Sequence, residues 1–145
     1  MFSIKVDDNL IKNVSLVGIN ELIPHEEVVI DRKNALKFYI DSLSPEVIIS
    51  SIIVCHKTNM IIDGHHRYFS LMELGFKKVP VTKVDYLSNN VKAYFDNRIE
   101  KSEIIKSAIS KKLLSPKSSK HVVLNIEDNK WYPIILLSSL FYLKK

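Results

Sequence analysis

The chain has 145 residues, of which 46% are hydrophobic and 26% charged, and its formal net charge is +5. This length suits one domain with a buried core, and the composition is that of a globular protein, with no stretch of low complexity. The positive charge favours anionic partners, which include nucleotides, phosphorylated metabolites and nucleic acid.

The cysteine content predicts a cytoplasmic protein. Cys55 is the single cysteine, so no intramolecular disulfide can form and a reducing compartment is expected. The N-terminal residues lack the apolar core of a signal peptide. The apolar run from Trp131 to Leu143 is shorter than the ~20 residues needed to span a bilayer, so no membrane partner is expected. We predict a buried helix or a homodimer contact there.

The first part of the chain is predicted to form a strand and a helix. Residues 14–22 alternate enough to form a strand, and a loop with a proline and charges follows. Asp31 is predicted to cap a helix over residues 33–43, which Ser44-Pro45 would end. Five residues are expected on its inner face: Leu36, Phe38, Tyr39, Ile40 and Leu43.

A polar cluster is predicted at a corner between a strand and a helix. The β-branched run over residues 47–55 predicts a long strand, which residues 57–59 turn back into residues 60–62. Asp63-Gly64-His65-His66-Arg67 follows directly. Apolar residues then repeat at helical spacing until Gly75: Tyr68, Leu71, Met72 and Leu74.

The second half of the chain is less regular. Residues 79–84 and 91–95 are predicted strands, and residues 101–114 a helix. A polar loop follows at residues 115–121, before Val122-Val123-Leu124. The apolar side of the helix would carry Ile104, Ile105, Ala108, Ile109 and Leu113. No linker is long enough to divide two domains.

The corner at residues 63–67 suits an anionic ligand. Free N–H groups and the positive end of the helix dipole would point out of it, and Gly64 would let a ligand approach the backbone. Arg67 can grip oxygens in a bidentate fork, and the histidines add neutral or cationic donors. The alternative is an ordinary strand–glycine–helix corner, but four ionisable residues within five positions favour a functional site.

Two other segments carry candidate residues. In His25-Glu26-Glu27 a carboxylate could act as a general base, although paired glutamates in a loop are mostly solvated. In Pro116-Lys117-Ser118-Ser119-Lys120-His121 the cationic and hydroxyl side chains could bind an anion, or form a plain surface turn.

These motifs resemble the ParB/sulfiredoxin superfamily. Asp63-Gly64-His65-His66-Arg67, Tyr68 and the segment over residues 74–81 are similar to its signature, and most similar to that of the free-serine kinases. Sulfiredoxins place their catalytic cysteine where this chain has His65, so that activity is not expected. The ParB nucleotide box has a glutamate at the same position. The resemblance covers residues 21–86 and part of residues 113–123.

The resemblance implies roles for several residues. Free-serine kinases carry a catalytic glutamate directly after a histidine, which matches Glu26, with Glu27 as the alternative. Their loop Pro-Lys-Ser-Thr-Arg-His is similar to residues 116–121, so Ser119 and His121 inherit a part in holding the amino acid. Lysine at position 120 cannot reproduce the fork of arginine. The substrate-side tryptophan of the family is absent from its expected place, where Tyr94 or Phe95 could substitute, since Trp131 is the only tryptophan.

The fold class expected is α/β (α+β), with a small mixed, curled β-sheet flanked by helices, as in the ParB/sulfiredoxin-like fold. Residues 1–145 would form a single kinase domain. Residues 100–145 would be a C-terminal helical and loop extension that completes the substrate site.

The activity that the resemblance implies is transfer of the terminal phosphate of ADP or ATP, with Mg²⁺, to the hydroxyl of free L-serine. The product, O-phospho-L-serine, would feed serine and cysteine metabolism. The expected site residues are Glu26 as base; Asp63, which orients the hydroxyl or binds the metal; Gly64, His65, His66 and Arg67 for the phosphates; and Lys117, Ser119 and His121 for the amino acid. The metal ligands stay open.

The alternative function is a ParB-like nucleotide- or DNA-binding module without kinase activity. Nucleic acid is the less favoured partner, because the lysines are spread along the chain and no helix-turn-helix pattern follows the corner.

Overall fold

A computed structural model describes residues 3–94, 100–116 and 119–145 of the chain. The strands in these ranges are β1 Ile11–Gly18, β2 Glu46–Ser50, β3 Ile52–Cys55, β4 Ile61–Asp63, β5 Lys78–Val84, β6 Val91–Tyr94, β7 Lys120–Asn125, β8 Lys130–Pro133 and β9 Leu140–Lys144. The α-helices are α1 Ile30–Leu43, α2 His65–Glu73 and α3 Lys101–Ser110, and single 3₁₀ turns lie at Ile19–Glu21 and Ile134–Leu137.

The main sheet is mixed, as predicted. Its strand order is β1-β5-β3-β4, in which β3 runs parallel to β5 and the other neighbours are antiparallel. Two smaller sheets, β2-β9 and β6-β7-β8, accompany it. Three helices and several sheets in the described ranges confirm the predicted α+β class.

The central strand β3 separates two hydrophobic cores. Ile52 and Val54 belong to a core that also contains residues of α1 and α2, whereas Ile53 and Cys55 belong to a core that contains residues of α3. Because successive side chains of a strand point to opposite faces, the two cores lie on the two sides of the sheet. A strand that is covered on both faces carries apolar residues at every position, which is why residues 52–55 are all apolar.

The predicted long strand over residues 47–55 is wrong, because the chain divides at Ser51. Its N–H donates to the carbonyl of Ser139 at 2.8 Å, and its Oγ accepts the Ser139 N–H at 2.9 Å and contacts Thr82 Oγ1 at 2.7 Å. The hydrogen bonds of this fully buried residue therefore interrupt the strand. Before it, β2 pairs with β9; after it, β3 joins the main sheet.

The predicted buried helix over residues 131–143 is also wrong, since this segment forms β8, a 3₁₀ turn and β9. Pro133 lacks the N–H that an interior helical position must donate. The apolar side chains find strand partners instead: Tyr132 lies opposite Val123, and Leu143 opposite Val47.

The helices differ from the prediction in their ends and faces. Helix α1 begins at Ile30 after Val29, so Asp31 lies in its first turn rather than at the cap. Of its predicted inner face only Ile40 is buried; Leu36 is partly buried, Leu43 is exposed, and Phe38 and Tyr39 are 78% and 59% exposed. Helix α1 packs mainly on α2, so the side chains that point away from α2 stay in solvent.

Helix α3 ends at Ser110, before the predicted position, because Lys111 has a left-handed backbone with φ of 60°. Ile104 and Ala108 of its predicted apolar side are buried, whereas Ile109 is exposed. Residues 100–145 contain three strands besides α3, so this part is less helical than predicted. Its role in completing a substrate site stays a prediction.

Cys55 is a free, buried cysteine in β3, as predicted. None of the helices in the described ranges is long and apolar enough to cross a membrane.

The hydrogen bonds at Ser51, where the chain divides between two sheets, give a stability prediction. Ser51→Ala should lower the free energy of unfolding by about 1–3 kcal/mol, because the fully buried Thr82 hydroxyl loses its hydrogen-bond partner and the Ser139 N–H loses its acceptor. Urea unfolding followed by circular dichroism measures the change. Ser42→Ala, which removes an exposed helical hydroxyl, is the control and should stay within about 0.5 kcal/mol of the parent protein. Equal effects in both variants would contradict a special role for Ser51.

Candidate functional site

The predicted corner between strand and helix is present. Strand β4 ends at Asp63, Gly64 has φ of 110°, and α2 begins at His65. The Tyr68 N–H donates to the Gly64 carbonyl at 2.9 Å, so the N–H groups that precede Tyr68 lack an intrahelical acceptor. A Cβ at position 64 would lie 2.8 Å from Nη2 of Arg67. The left-handed backbone requires glycine, and a Cβ there would also force the Arg67 guanidinium to shift.

Arg67 is the cation that the corner holds in place. Its Nη2 donates to the Ser51 carbonyl at 3.2 Å and lies 3.6 Å from Oδ2 of Asp63. Burial lowers the pKa of Arg67, and the Asp63 charge opposes that shift. Within the described part of the chain, the buried Nε of Arg67 has no hydrogen-bond partner. The guanidinium therefore keeps unused donor capacity.

Asp63 lies at the opening of the site, and its side chain is 39% exposed. Partial desolvation raises the pKa of this carboxyl, while Arg67 and then His66 act to lower it. The carboxylate can therefore accept a hydrogen bond or contact a cation from solvent.

Both histidines of the corner use Nε2 to accept a main-chain hydrogen bond. His65 accepts the N–H of His25 at 3.1 Å, and His66 accepts the N–H of Val29 at 3.2 Å. Burial, followed by the proximity of His25, lowers the pKa of His65 well below its usual value. Burial and two arginines lower the pKa of His66. Both rings are therefore neutral at pH 7, and the positive charge of the corner rests on Arg67.

Glu26 is held against the loop that precedes β7. The residue is 8% exposed, and Oε1 accepts the Ser119 N–H at 2.9 Å and contacts Ser119 Oγ at 3.0 Å. Glu27, in contrast, is exposed, and its N–H donates to the Leu114 carbonyl at 2.8 Å. The alternative of a solvated loop glutamate thus describes Glu27 but not Glu26.

Two further histidines lie behind the site. His25 is fully buried; its Nδ1 lies 2.6 Å from the Ile61 carbonyl and its Nε2 lies 2.8 Å from Ser119 Oγ. His121 is buried as well, with Nε2 2.9 Å from the Tyr86 hydroxyl and its ring 6.0 Å from that of His25. Burial lowers the pKa of His25 to about 4 and the pKa of His121 to about 3.

These residues surround one cavity of about 510 Å³, a volume within the roughly 300–1,000 Å³ of small-molecule sites. It brings together the loop before α1, the corner and the start of β7. Its lining residues are Glu26, Arg32, Ile62, Asp63, Gly64, His65, His66, Arg67, Ser119 and Lys120. Two carboxylates therefore share the cavity with two arginines and a lysine.

Some predicted residues lie elsewhere. His121 does not line the cavity but is hydrogen-bonded to Tyr86. Lys117, Phe95 and the side chain of Tyr94 lie outside the described residues. Trp131 lies in β8 with Nζ of Lys92 4.3 Å from its ring centroid. In the described ranges, no three side chains of histidine, cysteine, aspartate or glutamate come together as metal ligands.

Sequence reasoning missed three residues. Arg32 lines the cavity from the first turn of α1, where no motif marks it. Tyr86 follows β5 and contacts His121 across the core. The sequence marks His25 only as the neighbour of Glu26, although a histidine beside a candidate base is itself a signal of hydrogen bonding to that site.

Comparisons with curated proteins find relatives over about half of the chain. An ATP-dependent L-serine kinase of Staphylothermus marinus is 35% identical over 82 residues, which are 53% of this chain and 31% of that protein. A ParB-like protein of Sulfolobus acidocaldarius is 36% identical over 83 residues, 57% of this chain and 40% of that protein. An ADP-dependent L-serine kinase of Thermococcus kodakarensis is 31% identical over 83 residues, 54% and 33% of the two chains. No protein-family model matches.

Solved structures share the fold. A conserved hypothetical protein from Pyrococcus furiosus has a TM-score of 0.52 at 23% identity, and a free serine kinase in complex with AMP has a TM-score of 0.51 at 24% identity. Each match covers 65% of this chain and 39% of the other. The aligned segments thus span 40% or less of the length of these relatives. The comparisons confirm the resemblance of this chain to L-serine kinases and ParB-like proteins.

Proposed function

We propose that this protein transfers the terminal phosphate of ADP or ATP to the hydroxyl of free L-serine. The observation that carries the proposal is the shared cavity, in which Glu26 lies with the N-terminus of α2 and Arg67. Phosphoryl transfer needs little more than a positioned base and a fixed array of donors and cations around the phosphates. Two of the relatives, which are L-serine kinases, support the same reaction.

The nucleotide phosphates would bind at the corner. The N–H groups of residues 64–67 and the helix dipole favour an anion there, and Arg67 adds a fixed positive charge. Arg32 lines the same cavity and adds a second cation. These groups would stabilise the charge that develops on the leaving oxygen. His65 and His66 would contribute main-chain donors rather than charge, because their rings are neutral.

Glu26 would be the general base. It would take the proton of the serine hydroxyl while the hydroxyl oxygen bonds to phosphorus and the bond to the nucleotide breaks. The products are O-phosphoserine and the nucleotide with one phosphate fewer. Lys120, which lines the cavity, would pair with the substrate carboxylate. This pairing would favour a free amino acid over a serine within a protein. Lys117 stays a predicted partner of the same group.

A magnesium ion fits this arrangement in one way. Mg²⁺ in nucleotide sites is held by one or two carboxylates together with phosphate oxygens and water. Asp63, which is partly exposed at the cavity, would be the protein ligand. The ion would supply charge neutralisation of the phosphates.

The ParB-like relative suggests a second function, that of a nucleotide-binding module that does not transfer phosphate. Formation of O-phosphoserine distinguishes the two functions. An assay with ADP or ATP, Mg²⁺ and L-serine, analysed by mass spectrometry, should yield the phosphorylated amino acid. Nucleotide binding without any phosphorylated product among hydroxy amino acids would favour the module.

The base assignment gives the second prediction. Glu26→Gln should lower kcat by at least about 100-fold, because it removes the proton acceptor but keeps the shape of the side chain. Nucleotide affinity, measured by calorimetry, should not change. Glu27→Gln is the matched control and should keep the parent rate, since Glu27 is exposed. The reverse result would assign the base to Glu27.

The proposed phosphate site at the corner gives the third prediction. Arg67→Ala should weaken ADP or ATP binding by about tenfold to a hundredfold, the loss expected for a hydrogen bond to a charged group. Isothermal calorimetry measures the change. Lys12→Ala removes the same charge from β1, at the opposite edge of the main sheet from β4, and should bind normally. An unchanged nucleotide affinity in Arg67→Ala would show that the phosphates do not bind at the corner.

A further inference from the structure

The Ser119 hydroxyl lies between two possible acceptors. Its Oγ is 2.8 Å from Nε2 of His25 and 3.0 Å from Oε1 of Glu26. Both distances are those of hydrogen bonds, and the hydroxyl has a single proton to donate. The protonation states of Glu26 and His25 therefore decide which of the two accepts the proton of the Ser119 hydroxyl.

The tautomer of His25 follows from its other nitrogen. Nδ1 lies 2.6 Å from the carbonyl oxygen of Ile61, and a carbonyl can only accept. Nδ1 must therefore carry the ring proton, which leaves Nε2 of the neutral ring as a bare acceptor. When Glu26 is charged, Ser119 Oγ thus faces two acceptors with one proton.

One added proton on Glu26 satisfies both of these contacts of the Ser119 hydroxyl. Oε1–H then donates to Ser119 Oγ, and the Ser119 hydroxyl donates to Nε2 of His25. With Glu26 charged, the hydroxyl points to the carboxylate instead, and Nε2 loses that donor. An acceptor without a donor in a buried site costs free energy, so the neutral carboxyl is the state that completes this network.

We propose that Ser119 is a hydroxyl switch and His25 a positioning residue, which together stabilise the proton that Glu26 takes from the acceptor substrate. In the transfer step the O–H bond of the substrate breaks, its proton forms a bond to Glu26, and the Ser119 hydroxyl rotates from Glu26 to His25. The proton returns to solvent from Glu26 when the product leaves. The proposal rests on the proposed function for the role of Glu26 as base, and it adds how that base is made stronger.

The surroundings keep the proton on Glu26 rather than on His25. The His25 ring is fully buried and is faced by two more buried imidazoles, His65 at 4.5 Å and His121 at 6.0 Å between ring centroids. Burial lowers the pKa of His25 to about 4. The ionisable groups that line the cavity with Glu26 are Arg32 of α1, Asp63 of β4, His65, His66 and Arg67 of α2, and Lys120 of β7.

Two substitutions of His25 separate its two nitrogens. Asparagine can place an amide nitrogen near Nδ1 and keep the bond to Ile61, but it offers no acceptor at the position of Nε2. Glutamine can place an oxygen near Nε2 and keep the acceptor for Ser119. The readout is the titration of the Glu26 carboxyl carbon by NMR in protein with ¹³C-labelled glutamate and no substrate.

The fourth prediction is a lower titration midpoint for Glu26 in His25→Asn. Loss of one buried hydrogen bond should lower its proton affinity roughly tenfold, or about one pH unit. In His25→Gln the midpoint should stay near that of the parent protein. Because the coupling passes through the hydroxyl, His25→Asn should cause no shift in a Ser119→Ala background.

Three results would overturn the proposal: an unchanged or higher midpoint in His25→Asn, the same shift with and without the Ser119 hydroxyl, or a His25 ring that gains charge where Glu26 titrates. The last is read from histidine ¹⁵N shifts of the parent protein, so it needs no variant to fold. None of these measurements requires kinase activity. An inactive protein with the predicted titrations would therefore contradict only the proposed reaction.

Discussion

The hydrogen bonds of His25 join three segments of the chain around one cavity: its own loop, the corner with the strand before it, and the loop before β7. Its N–H donates to His65, its carbonyl accepts from Leu114, and its ring contacts Ile61 and Ser119. Each of these groups would be costly to leave unpaired in a buried site. Displacement of any one segment therefore breaks a bond to the same residue, and Glu26 next to it is held in register with the corner.

The corner depends on a second constraint, the contact of Arg67 with Gly64. A Cβ at position 64 would displace the guanidinium, which donates to the Ser51 carbonyl and faces Asp63. Ser51 is also the point where β2 and β3 part. The residue at which the chain divides between two sheets is thus also the residue that positions Arg67, the main cation of the site.

The structure changes the chemical meaning of the histidines. Four of them could have supplied positive charge for phosphates, but His25, His65 and His121 are buried and His66 accepts a main-chain N–H. Neutral imidazoles act as hydrogen-bond acceptors, and the cations that remain at the cavity are arginine and lysine side chains. The loop at Ser119, which the resemblance linked to the substrate, is in contact with Glu26 itself.

The sequence by itself determined the local features. The strand–glycine–helix corner and the helix that Gly75 ends follow from apolar periodicity and from glycine at left-handed positions, and both depend on neighbours in the chain. Glu26 and Ser119 were identified by resemblance as separate candidates. Only the tertiary structure decided that they touch, that β2 and β3 part at Ser51, and that residues 131–143 form strands. These outcomes depend on hydrogen-bond partners distant in sequence, such as Ser139 for Ser51 and Ser119 for Glu26, and a local pattern does not contain that information.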